Sequence, residues 1–121
     1  MRNSREIALS ALIKMEKDDG YSNLVIKSLL EKENAPKEEK ALATRIFYGV
    51  IEKKKILDYN ISKLSSKPTA KLDIEVLQIL RMGLYQLFYM DTIPESAVVN
   101  ECVKLCDFTK KSSAKSFVNA I

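Results

Sequence analysis

Cys102 and Cys106 are the chain's two cysteines, four residues apart, and there is no histidine anywhere. That pair cannot complete a four-ligand zinc site or a disulfide framework. Cysteines at i and i+4 share one helix face, so they read as small core residues, and neither a catalytic nor a metal-binding set can be assembled from the sequence. A second feature stands just upstream. The run "LRMGLYQLFYM", Leu80 to Met90, is apolar on nearly every side but holds Arg81. At ~100° per residue, Glu75, Gln78 and Gln86 form a narrow polar stripe on this helix, and Arg81 lies outside it.

A guanidinium in apolar surroundings needs a carboxylate, because an unpaired buried charge is costly and a bidentate bond satisfies several of its donors. The turn at Asp91 to Ile93 folds the next helix back, which brings Glu101 roughly level with Arg81 when rises of ~1.5 Å are counted from both ends. The expected pair is therefore Arg81 with Glu101, a clamp holding two helices in register. Phosphate binding by Arg81 and an exposed, unpaired side chain are the other roles open to it.

These residues need elements to hold them, and the composition points to helices. The 121 residues suffice for one domain with a continuous core, and only three glycines and three prolines are available for turns. Ser4 can cap a first helix to about Asp18, with Ile7, Ala8, Ala11, Leu12 and Met15 inward. Ser22 or Asn23 opens a second, with Leu24, Val25, Leu29 and Leu30 apolar, which ends before Pro36. A third runs from Lys37, with acids in its first turn and Lys53, Lys54 and Lys55 at its end, as the helix dipole favours. Its inner residues are Leu42 or Ala43, Ile46, Phe47, Val50 and Ile51, and Gly49 leaves room for a neighbouring backbone.

Ile56 to Leu64 makes a short fourth helix, with Leu57, Ile61 and Leu64 inward. Asp73 caps a fifth, to about Met90, whose apolar circumference makes it the central and most buried element. Pro94 begins a sixth to about Phe108, and Ser112 or Ser113 caps a last one. The expectation is an all-α bundle of six to seven helices.

The formal net charge is +4, carried by sixteen lysines and four arginines, a weak signal for an anionic partner set against a plain solvated surface. No segment reads as a membrane span or a targeting signal, and the lack of a disulfide framework fits a cytoplasmic location.

The string "ILRMGLYQLFYMDTIPESAVVNECVKL", followed by "AKSFVNAI", resembles the NusB-like helical domain. Within that group it resembles the version at the N-terminus of the bacterial ribosomal RNA small subunit methyltransferase B family, also called Sun or Fmu. "REIALSAL" from Arg5 matches that family's opening Arg-x-x-Ala-x-x-x-Leu, "YSN" from Tyr21 its entry to helix two, and "ALATRIFYGVIEKKKILDYNI" from Ala41 its third and fourth helices. Five pieces in the right order make the likeness specific.

The resemblance implies an RNA-binding domain over residues 1–121, an N-terminal fragment of a longer enzyme. That enzyme would use S-adenosylmethionine to methylate carbon 5 of a cytosine in small-subunit (16S) ribosomal RNA. In the family one cysteine attacks carbon 6 of the base and a second helps release the product. Cys102 and Cys106 do not match those positions, and no glycine-rich cofactor turn is present. The chain alone is therefore expected to have no catalytic site and no cofactor, S-adenosylmethionine belonging to the covalently attached catalytic domain, with ribosomal RNA as partner. The resemblance places RNA contacts on the opening segment, here Arg2 and Arg5, and on helix-one lysines such as Lys14, with Lys71 and Lys104 possible additions by location. A free-standing NusB-type antitermination factor is the alternative on the same fold, and a helical protein-interaction module is a third.

Overall fold

The computed structural model describes residues 3–18, 22–34, 36–65, 69–111 and 114–120. Within them lie six α-helices and no strand: α1 (Ser4–Asp18), α2 (Ser22–Glu33), α3 (Lys37–Leu64), α4 (Ile74–Tyr89), α5 (Glu95–Phe108) and α6 (Lys115–Ala120), with a 3-10 turn at Thr69–Lys71. The all-α bundle is as expected. Its third and fourth expected helices are one continuous helix, α3, because Lys53, Lys54 and Lys55 fall in mid-helix and do not end it. Lys54 instead reaches Glu16 of α1, 3.2 Å away.

α4 is the axis. Every residue from Val76 to Gln86 is buried, and α1, α3, α5 and α6 pack around it. A helix apolar on all sides has no face to give to water, so surrounding it is the way to satisfy it. The pairs Arg45–Tyr89, Gly49–Tyr85 and Asp58–Arg81 set α3 antiparallel to α4. Ser4–Glu39 and Glu16–Lys54 set α1 parallel to α3. Cys102 Sγ lies against Gly83 and 3.9 Å from the Ile79 carbonyl, which fixes the α4–α5 hairpin.

The α1 cap is Asn3 rather than Ser4. Its Oδ1 accepts from the Glu6 backbone N–H at 2.9 Å, and Glu6 Oε1 accepts from the Asn3 N–H at 2.8 Å, a reciprocal capping box. The Ser4 backbone N–H, a first-turn donor with no acceptor inside the helix, donates to Glu39 Oε2 at 2.7 Å. Asp73 stands at the N-cap of α4 but makes no capping hydrogen bond, its carboxylate lying 3.4 Å from Lys111 Nζ. Ser112 and Ser113 lie outside the described residues.

The core draws on Ile7, Ala8, Ala11, Leu12, Ile46, Phe47, Val50, Leu57 and Ile61, all expected inward. Ile26 joins it in place of Leu24, while Ile51 and Leu64 face outward. Gly49 does admit a close neighbour. It is the Tyr85 ring, not a backbone, and a Cβ there would overlap it.

Candidate nucleic-acid interface

Arg81 is 4% exposed and paired, though not with Glu101. Its Nε and Nη2 donate to the two carboxylate oxygens of Asp58 at 2.7 and 2.8 Å, and its Nη1 donates to Glu16 Oε1 at 3.0 Å. The expected Arg81–Glu101 clamp is replaced by a bidentate clamp to α3 with a third bond to α1. The reason is angular. α5 packs on the line of α4 that carries Ile79 and Gly83, and Arg81 lies ~200° round from Ile79, on the opposite side. Glu101 has Lys104 for a neighbour, 3.8 Å away.

Burial works against the Arg81 charge, but the bonds to Asp58 and Glu16 outweigh it and raise its pKa. The hydrogen bond from Arg81 also holds the Glu16 carboxyl below its ordinary value, with Lys54 adding to the effect. Arg81 is thus a structural tie among three helices, its guanidinium buried and held by two carboxylates rather than presented to a phosphate. Beside it a cavity of about 170 Å³ lies between α1, α3 and α4, bordered by Leu12, Val50, Lys54 and Gln78. Gln78 Oε1 is buried with no hydrogen-bond partner among the described residues.

Of the residues expected to meet RNA, Arg2 lies outside the described residues. Arg5 is half-buried, and its Nε donates to Gln86 Oε1 at 2.8 Å. Gln86 is wholly buried and its Nε2 donates to the Met82 carbonyl at 3.0 Å, so Arg5 satisfies a core amide. Lys14 is exposed on α1, as are Lys71 after α3 and Lys104 on α5. Lys14 follows Arg5 by nine residues, ~180° round α1, so the two stand on opposite sides of that helix.

Cations and aromatic rings do meet on another part of the surface. Arg45 of α3 donates from Nη2 to the Tyr89 carbonyl at 3.2 Å, placing positive charge at the C-terminal end of the α4 dipole. Lys53 Nζ sits 5.3 Å from the Tyr89 ring centroid, and that ring stands 5.3 Å from Tyr85. The signal for Arg45 and Lys53 was their spacing on one side of α3, which reading the lysines as a helix end concealed. The cysteines are inert by environment: burial pushes the Cys102 thiol up to about 12 and also raises Cys106. Among the described residues no group of acids and cysteines could hold a metal, and no helix is long and apolar enough to cross a membrane.

Comparison with known proteins gives this architecture a lineage. The sequence profile of the NusB family matches residues 2–121. A probable ribosomal RNA small subunit methyltransferase B of Bacillus subtilis is 37% identical over 97% of this chain, and its Synechocystis counterpart is 30% identical over the whole chain. The chain spans only 26% and 27% of those two proteins. A transcription antitermination protein NusB of Ruminiclostridium cellulolyticum is 34% identical over 99% of this chain and 83% of its own length. Among solved structures, a chain in a complex of the antitermination factors NusB and NusE with double-stranded RNA superposes with a TM-score of 0.87 at 20% identity. The match covers 96% of this chain and 87% of that one, a likeness of fold.

Proposed function

The chain belongs to the NusB family, and from that premise we propose that it is the RNA-binding domain of a ribosomal RNA (cytosine-5) methyltransferase. Its task is to place a covalently attached catalytic domain on small-subunit ribosomal RNA. The observation that carries this reading is the 37% identity, over nearly the whole chain, to about a quarter of the length of a probable methyltransferase B. S-adenosylmethionine and the catalytic cysteines belong to that attached domain, and this chain contributes affinity and position. Consistent with that division, its two thiols are buried on α5 with raised pKa values, the opposite of what a nucleophile needs. The domain acts in the cytoplasm.

A second reading, a free-standing antitermination factor, draws on the 34% identity to a NusB protein over 83% of that protein's length. Two measurements separate them. Mass spectrometry of the natural protein in cells gives a product several times the 13.7 kDa of this chain if the methyltransferase reading is right, and one close to that mass if the antitermination reading is. Disrupting the gene removes a 5-methylcytosine from small-subunit ribosomal RNA in the first case and leaves methylation intact in the second. Calorimetry of the 121-residue chain with S-adenosylmethionine should show no saturable heat. Saturable binding would overturn the division of labour.

A further inference from the structure

The outer face of α3 carries features that the fold does not use. Tyr48 and Tyr59 are 37% and 59% exposed, Ile51 and Ile56 are also exposed, and Lys55 and Lys63 stand among them. At ~100° and ~1.5 Å per residue, Tyr48, Lys55 and Tyr59 fall within ~40° of one another along ~16 Å of helix, and Lys63 flanks them. Lys63 Nζ sits 4.5 Å from the Tyr59 ring centroid.

No described carboxylate pairs with Lys55 or Lys63. Of the two acids on this stretch, Asp58 is turned inward to Arg81, and the exposed Glu52 leans toward Lys53 at 3.9 Å. Exposed rings alternating with uncompensated ammonium groups are poorly suited to a protein hydrophobic face, which favours depletion of lysine. They suit a strand that offers flat bases at intervals and a phosphate beside each.

We infer that the outer ridge of α3, from Tyr48 to Lys63, is a stacking platform for unpaired RNA, with Tyr48 and Tyr59 taking bases and Lys55 and Lys63 taking phosphates. This rests on the RNA-binding reading above and moves the main contact from the start of α1 to the middle of the chain. Duplex RNA would meet the lysines but could not reach the rings, so the platform selects single strands. Lys63 is already poised over Tyr59, and an arriving base displaces its ammonium toward the neighbouring phosphate.

The test is fluorescence anisotropy of the 121-residue chain with a labelled, unstructured single-stranded RNA across a salt series. Tyr48→Ala and Tyr59→Ala should each weaken binding by about tenfold, while Tyr→Phe at either site should leave it nearly unchanged. Lys55→Ala with Lys63→Ala should flatten the log affinity against log salt plot by about 1.4, the contribution of two phosphates of a single strand. All four side chains are outside the core, and circular dichroism checks that each variant is folded. If these variants bind as the unaltered chain does, while Lys14→Ala or Arg5→Ala weakens binding, the platform is overturned and RNA binding by another surface stands. Unchanged RNA affinity in every variant likewise overturns the platform and leaves the ridge to a protein partner. No RNA binding by the unaltered chain overturns both the platform and the reading beneath it.

Discussion

On its inner edge α3 presents Asp58 to the buried guanidinium of Arg81 through two hydrogen bonds, whereas on its outer ridge Lys55 and Lys63 stand beside exposed tyrosines without a described carboxylate partner. One helix therefore uses charge in two ways. Where a charged group is removed from water, every donor must find an acceptor, and the result is a rigid tie between helices. Where the charge stays hydrated, no partner is required and the group remains available to a ligand. The contrast assigns stability to the inner edge and affinity to the outer ridge, and mutations should separate the two.

The largest effect is expected at the tie. Asp58→Ala leaves Arg81 buried with Glu16 alone and should cost about 2 to 3 kcal/mol, less than the ~3–5 kcal/mol of a fully buried pair because Asp58 keeps some contact with water. Arg81→Met should be milder, since both carboxylates it releases can be hydrated. Urea unfolding of the two variants checks the order, and Arg81→Met as the more damaging change would contradict it. RNA affinity of the folded Asp58→Ala protein should be unchanged.

Gly49→Ala tests the same inner packing sterically. The added Cβ would overlap the Tyr85 ring, which is buried and stacked near Tyr89, so the ring must shift at a cost of about 1–3 kcal/mol. Thermal unfolding should show a clear drop in Tm.

Arg5→Ala sharpens the comparison because that residue was expected to contact RNA. It should lower stability by about 1–2 kcal/mol by leaving the Gln86 oxygen without its donor, and change the salt slope of RNA binding little. A variant of full stability with a slope reduced by a whole unit would return Arg5 to the RNA surface.

The smallest effect concerns pH. The folded-state pKa of Glu16 is lowered from 4.5 by Arg81, so its contribution to stability is present at neutrality and is lost as pH falls through the lowered folded value. The stability difference between the unaltered chain and Glu16→Gln should therefore narrow below pH 4.5. A gap that held constant down to full protonation would remove Glu16 from the tie.

The helical architecture could be read from the chain because α4 is apolar around its whole circumference and the flanking helices keep apolar residues three and four apart. The same argument showed that Arg81 is buried. Its partners were not legible, since they come from α1 and α3, 65 and 23 residues away in sequence, and periodicity carries no information on which helix faces which. One signal was available. Asp58 follows Phe47 by eleven residues, within ~20° of the same line on α3, so an acid lay in register with a core aromatic. The break placed after Lys55 hid that register. The exposed tyrosines were unreadable for a different reason: a tyrosine at helical spacing suits core and surface equally, and only packing decides which.

The most direct test of the functional account is the salt dependence of RNA binding by the unaltered chain. Anisotropy with an unstructured RNA should give saturable binding that weakens steeply as salt rises. Its log–log slope should be about −1.4 or steeper, reflecting at least two phosphate contacts. The absence of saturable binding at low salt, or an affinity indifferent to salt, would contradict a basic RNA-binding surface on this domain.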